Sequence, residues 1–581
     1  MSVASACEVA QGVVKDHNLP HAAIEAFGSL GGHGKSPQNS ERDLHRWLRS
    51  IYGFELQPYV LHLGLQIDSV KVRKVPVRVL APHEILHSIA VMHADSAFDS
   101  LMLGNLEDGD RRRFWRHVQS LPPWKTHPIF QQPVDLSRII GLTIHGDGAV
   151  MKRDDESFVW SISSCFSLEG IVKDPLLLKF PVAMIPERYM LSHDVQRDVN
   201  REIAKFMAWS LGWSSAGIGP ATGYNGESFP PESARGKMAG KTLAMGWRGC
   251  FFAIKADLKA RRYLHEFSRY YRCSLLCDTC LASVAKGVNP LMSGRNFSHG
   301  AAWRLTRLNH EGYMDKEPVT VSPYTCIPGF RVECVVYDWM HNIFLGCGRD
   351  LFASGLKLMI SKGIWNHLGD DWDSVLAGVH AEIHTTCAAY GLYLPRKPVL
   401  TMAGLGGDEY SELSTRYKAS HVRMMLFWLA KKTQEVADVM VDDVQIQVLA
   451  SCCYGLQRAT EIQTHAGLVL GCAEAEEASK SVFTFVACFA WLALSCAGNS
   501  LLLFKCRPKL HYMMHTAEDL KTLRLNQLKL FSTFTEESFL GRLKSIATQV
   551  HGKTLALRVF QRYILTLAVS LYRFKERMVD N

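Results

Sequence analysis

Hydrophobic and polar positions alternate with two different periods along this chain, and the period changes part-way. Near the start, SERDLHRWLRSIYG (40–53) places Leu44, Trp47, Leu48 and Ile51 on one helical face behind a capping Ser40. VRKVPVRVLAP (72–82) alternates as a strand, and APHEILHSIAVMH (81–93) opens a helix with Pro82 in its first turn. From about Ser137 the pattern becomes strand-rich. RIIGLTIHGDGAVM (138–151), SFVWSISSCFSL (157–168) and KFPVAMIP (179–186) follow one another at hairpin spacing and predict an antiparallel start to a sheet. A helix is expected over 194–213, and a strand leading into a helix over 247–267. After a loop-rich, cysteine-bearing segment (273–330), FRVECVVYDWMHNIFLGCGRDLFASGLKLMI (330–360) reads as a short strand, an Asp, then a helix. The stretch 350–505 is mostly helical in pattern, and two more helices are expected over 507–523 and 533–550. No repeat and no low-complexity tract interrupts this order.

Composition changes that picture little. With 581 residues, 47 % hydrophobic and 21 % charged, the chain belongs with folded proteins and not with disordered ones. Charge changes it more. The net charge is +9, but Lys505 to the end holds 14 basic and 6 acidic residues, so nearly all the excess lies in the last 77 positions. A basic segment of this kind suits nucleic acid, and equally a solvated surface. The first residues, MSVASACEVAQGVVKDHN, lack the basic and apolar regions of a secretory leader, so a reducing compartment is expected for the 16 cysteines. Residues 481–504 carry no charge over a membrane-spanning length. Their Ser, Thr, Asn and Gly content and symmetric flanking lysines favour a buried helix over a membrane span.

Three carboxylates occupy informative positions. Asp147 lies between glycines after an apolar strand, Asp338 ends the strand VECVVY, and Glu537 starts an amphipathic helix. Carboxylates on rigid elements are what a two-metal phosphoryl-transfer site needs, because hard Mg²⁺ or Mn²⁺ prefers oxygen ligands. The same residues also suit a helix cap (Asp338) or a favourable dipole position (Glu537). His341 lies three residues after Asp338. His511 and His515 have the i, i+4 spacing of ligands on one helical face, and packing or contact with a DNA backbone is the preferred reading over zinc. Cys277 and Cys280 form a CxxC pair, with Cys326, Cys334 and His310 as candidate partners for a structural zinc. Two glycine-rich stretches carry no chemistry: GSLGGHGKS (28–36) has the wrong spacing for a phosphate loop, and GLGGDEYS (404–411) lacks a third glycine.

Three ordered blocks give the chain a family resemblance. IHGDGAVMKRDDESFVW (144–160), YDWMHNIFLG (337–346), and RPKLHYMMH (507–515) with FTEESFLGRLK (534–544) resemble the transposases of the CACTA (En/Spm-like) superfamily, in particular diverged protist-like members. The resemblance implies an RNase H-like mixed-sheet α/β core. Its first part would span 136–349, with the cysteine-bearing insert at 273–330. An all-α insertion would follow over 350–505, and the returning basic helices of the core over 506–581. An α+β N-terminal region (1–135) has no role assigned. The resemblance implies an Asp147, Asp338, Glu537 triad holding Mg²⁺ or Mn²⁺, with His341 beside it; the zinc candidacy of Cys277 and Cys280 rests on their spacing alone, and a plain pair of buried thiols suits that spacing equally. Leu543-Lys544 sets the register that selects Glu537 over its neighbour Glu536. Arg542, Lys544, Lys553, Arg558 and Arg562, with His511 and His515, are the expected DNA contacts. The expected function is cleavage and joining of double-stranded DNA in the nucleus by a homo-oligomer away from membranes. A catalytically silent DNA-binding protein of transposase descent is the alternative. No separate N-terminal DNA-binding module is visible, which is where the chain departs from the family.

Overall fold

The computed structural model describes residues 56–67, 71–92, 98–152, 155–167, 172–316, 321–395, 398–407, 409–550 and 554–579, with scattered positions in the first 55. The helix expected over 40–53 lies largely outside the described residues, as does Lys553.

Two strands, β1 (Tyr59–Gln66) and β2 (Val72–Val79), form an antiparallel hairpin. The first was not anticipated, although YVLHLGLQ buries alternate positions as strictly as any strand in the chain. Helix α1 (Pro82–Met92) begins where expected, and α2 (Asp108–Ser120) follows. The N-terminal region shares one apolar core with the sheet beyond it, through residues such as Leu61, Trp115 and Trp124.

The main sheet has five strands in the order β5-β4-β3-β6-β7. Strands β3 (Ile139–Lys152), β4 (Asp155–Ser164) and β5 (Phe180–Pro186) are antiparallel neighbours, as the hairpin spacing predicted. Strand β6 (Arg248–Ala256) then pairs parallel to β3, and β7 (Val335–Tyr337) parallel to β6. β5 is buried along its whole length, and eight consecutive residues of β4 are buried, so both faces of the sheet are covered. Helix α3 (His193–Ala216) crosses between β5 and β6. Ser192 caps its start, and Gly217 stops it with φ of 70°, a conformation that costs other residues. Asp257 caps the short helix α4 (Leu258–Tyr263) directly after β6.

A second apolar core lies in the helical segment. It is built by α5 (Gly348–Ser361), α6 (Trp372–Ala389), α7 (Ala419–Val439), α8 (Val444–His465) and α9 (Cys472–Gly498). Helix α9 is long and apolar enough to cross a membrane by length and composition. It packs along α8 and α10 (Pro508–Leu523). The burial expected for it holds on one face only: Val482, Phe485, Val486, Phe489 and Leu492 are buried, while Trp491 and Leu494 are exposed. After α10 the chain returns to the sheet through α11 (Gln527–Phe531), α12 (Phe534–Ala547) and α13 (Leu555–Val579).

Candidate functional site

The parallel strands β6 and β7 end side by side, and each ends in an aspartate. Asp257 follows β6 and Asp338 follows β7. Asp147 lies on β3, the strand beside β6, just beyond the paired residues. Glu537 comes from the first turn of α12. Sites of this kind form at the carboxyl ends of parallel strands, where the backbone leaves a crevice. Here a cavity of about 450 Å³ opens there, lined by Asp257, Asp338 and His341 and by Lys505, Arg507 and Lys509.

The electrostatics tie these groups together. Burial, and then the negative charges of Asp257 and Glu537, push the Asp147 carboxyl well above the usual range; His341 and the Gly148 N–H offset only part of this. Asp257 was missed in the sequence. Its signal was there: FFAIKAD is an apolar strand ending in Asp before a helix, the same pattern that singled out Asp338.

Asp338 differs from the other carboxylates. Its Oδ1 accepts from the backbone N–H groups of Met340 (2.9 Å) and Thr533 (3.2 Å). Its Oδ2 accepts from the His341 N–H (3.3 Å) and faces His341 Nδ1 and the Thr533 hydroxyl at close range. Five partners fill a fully buried carboxylate. His341 and these hydrogen bonds overcome the effect of burial and hold it below its ordinary pKa. His341 is the mirror case. Burial would lower it, but Asp338 foremost, then Asp257 and Glu537, raise it to about 9, so the ring is an imidazolium at neutral pH. Its Nε2 lies 3.6 Å from Glu537 Oε1.

Glu536, the neighbour set aside for Glu537, is sealed in the interior. It pairs with Lys179 (2.8 Å) and with Lys255, and Lys179 also donates to Ser163 Oγ (3.1 Å). Burial opposes its charge, yet the two lysines hold its carboxyl far below the usual range. Neither lysine was anticipated.

Around Glu537 the expected DNA contacts divide. Arg542 and Lys544 are exposed on α12. Arg558 and Arg562 on α13 are half-buried and donate to Gln561 (3.0 Å) and Gln549 (3.3 Å).

A second group lies behind β7. Cys277, Cys280, His511 and His515 place one ligand atom each within 4.8 Å of one another, and all four are buried. Cys280 Sγ is 3.3 Å from His511 Nε2, Cys277 Sγ is 3.5 Å from His515 Nε2, and the two Nε2 atoms are 3.2 Å apart. Burial disfavours charge on Cys277, but the hydrogen bonds of Cys280 and the two histidines and the charge of His515 hold its thiol well below the ordinary range. Burial and the Cys277 charge push Cys280 up. This Cys₂His₂ cluster could hold a metal such as zinc.

Two expectations are corrected by that geometry. His511 and His515 reach no surface, so they cannot touch a DNA backbone; their rings face sulfur because the i, i+4 face of α10 packs on the CxxC loop. Cys326, Cys334 and His310 are not partners of Cys277 and Cys280. Cys326 Sγ faces Pro323 O, Cys334 Sγ faces Pro123 O, and His310 Nδ1 accepts from the Val332 N–H. Among the described residues this is the one set of three or more such ligand atoms drawn so close. No three of Asp147, Asp257, Asp338 and Glu537 approach one another as tightly.

Compared with known proteins, the chain matches no family model and no curated protein.

Proposed function

We propose that the chain is a transposase-like enzyme that cuts and joins DNA by divalent-metal phosphodiester chemistry. The observation that carries this reading is geometric: Asp257 and Asp338 follow the adjacent parallel strands β6 and β7, with Asp147 on the neighbouring β3 and Glu537 3.6 Å from His341, and the charges of Asp257 and Glu537 raise the half-buried Asp147. Such mutual repulsion is relieved by a bound cation, and the oxygen-only donor set fits Mg²⁺ or Mn²⁺. The strand order supports the reading, since three antiparallel strands followed by two parallel ones added beside the first is the topology of an RNase H-like core. On that topology the helical segment 350–505 is an insertion ahead of the helix that bears Glu537.

The residues that would hold the metal are Asp147, Asp257 and Glu537. Asp338, which the resemblance assigns to the triad, has its lone pairs occupied by five partners and fits a positioning role for His341. When bound, the ions supply an activated oxygen nucleophile and stabilise the leaving oxygen. The protein contributes the rest. His341, charged and 3.6 Å from Glu537, offers a cation to a phosphate. Exposed Lys505 lines the cavity where a DNA strand would run, while Arg507 is paired with Asp350 and Glu412 and Lys509 with the carbonyls of His341 and Leu345. Exposed Arg542 and Lys544 extend that surface along α12. The expected setting for such an enzyme is the nucleus, where it would act on double-stranded ends as an assembly of copies.

The test is cleavage of supercoiled plasmid and of short duplexes with Mg²⁺ or Mn²⁺. Wild type should nick or cut, and Asp147→Asn should not. Equal cleavage by both would sink the reading. One observation favours the silent DNA-binding alternative: the carboxylates are not gathered to ligand distance as the Cys₂His₂ group is. Metal-independent DNA binding with no cleavage by wild type would select it.

A further inference from the structure

The ligands of the Cys₂His₂ group come from two places far apart in the chain: the loop after α4 and one face of α10. We infer that the group binds one Zn²⁺, and that the ion ties α10 to the end of β7 and so fixes the position of the Asp338–His341 pair.

The site has the character of a closed structural centre. Four soft and borderline donors match tetrahedral zinc with no position left for substrate. The sulfurs also receive backbone N–H groups, Thr279 on Cys277 (3.4 Å) and Ala282 on Cys280 (3.5 Å). These donors stabilise thiolates. Glu518 Oε2 lies 3.5 Å from His515 Nδ1, and Arg304 holds Glu518 at 2.8 Å. Carboxylates placed behind metal-bound histidines orient the ring and raise its basicity. Trp303 closes the group from solvent, its ring 4.1 Å from that of His511.

The tie reaches the candidate active site by two routes. Tyr337, the residue before Asp338, has its hydroxyl 3.2 Å from Cys277 Sγ. Its ring stacks on Tyr512 (5.1 Å, 18°) and on His515 (5.9 Å, 9°), both on α10. In the first turn of α10, Lys509 Nζ donates to the carbonyls of His341 (2.7 Å) and Leu345 (3.2 Å). One helix therefore braces both sides of Asp338–His341. Metal binding displaces protons from the cysteine thiols and involves no redox step.

The inference stands apart from the nuclease reading and is tested without it. The purified full chain should carry one zinc per molecule by elemental analysis, and Asp147→Asn should carry the same. Exchange of zinc for Co²⁺ should give the d–d bands of tetrahedral cobalt and a thiolate charge-transfer band. Chelation of wild type should speed hydrogen exchange in 335–347 and 505–523 and leave 193–216 unchanged. Glu518→Gln, which keeps the four ligands, should weaken zinc affinity about 10- to 100-fold. Absence of both zinc and the charge-transfer band would overturn the site. Exchange that rises only in 273–307 would overturn the tie. Loss of DNA cleavage alone would bear on the nuclease reading and on neither of these.

Discussion

Glu536 and Glu537 are consecutive, yet they face opposite environments. The Glu536 side chain is 1 % exposed and locked between two lysines, whereas that of Glu537 is 42 % exposed and looks toward His341. The first turn of α12 thus anchors the helix with one carboxylate and presents the other to His341.

Separate consequences follow for the two residues. Glu536→Gln leaves two buried ammonium groups without a counter-charge and should cost about 3–5 kcal/mol. Glu537→Gln should change stability by less than about 0.5 kcal/mol and abolish metal-dependent cleavage. Urea denaturation and the plasmid assay read the two effects independently. A stable, active Glu537→Gln would remove that residue from the site.

The two strand-end aspartates should part in the same way. Asp257 caps α4 by accepting from the Ala260 N–H, and Asn caps a helix about as well. Asp257→Asn should therefore fold normally and lose cleavage. Asp338→Asn replaces one buried acceptor oxygen by a donor that faces the His341 ring and the Thr533 hydroxyl. It should cost at least about 1–3 kcal/mol for the unsatisfied groups and lower the His341 pKa from about 9 toward its ordinary value. A ring-proton titration by NMR reads that shift. An unmoved His341 would show that Asp338 is not what holds its proton.

How much of this was legible depended on the range of the interaction. The strands β3, β4 and β5 could be read because apolar runs and a charged turn are local signals. Asp147, Asp338 and Glu537 could be picked out for the same reason. Asp257 carried an equally local signal but lay outside the three blocks of resemblance, and so it was passed over. The Cys₂His₂ group could not be read because half of it is more than 230 residues from the other half. CxxC suggested a metal and the i, i+4 histidines suggested a face, but only packing of α10 on the loop joins them. Lys179 and Lys255 were invisible for a related reason: a lysine just before or inside an apolar strand gives no hint of the glutamate that compensates it.

Gly346 sits where the π-helical turn Met340–Cys347 meets Lys509. A β-carbon there would stand 2.5 Å from Lys509 Cδ and 2.8 Å from the His341 carbonyl oxygen. Gly346→Ala should destabilise the protein by about 1–3 kcal/mol, as overpacked sites do. Adding Lys509→Ala should recover only part of the loss, because the backbone carbonyl stays in place. Full recovery in a urea titration would mean that the lysine alone sets the limit.

Acid should unfold the protein through histidines that are buried uncharged. Burial lowers His83 and His127 to about 4, and burial with the nearby His145 and Arg261 lowers His265 to about 3. In the unfolded chain each would titrate near 6.5. Between those values the unfolded state binds protons that the folded state refuses, so stability is full above about pH 6.5 and falls as the pH drops toward 4. The loss should reach on the order of 2–3 kcal/mol per histidine by pH 4. His83 accounts for a separable share, since its Nδ1 is 2.7 Å from Ser210 Oγ and its Nε2 has no hydrogen-bond partner among the described residues. His83→Gln should lower stability at pH 7.5 yet flatten its decline from pH 6.5 to 4.5. The check is the urea midpoint measured across that interval for both proteins, and parallel declines would mean that His83 is already protonated in the folded state.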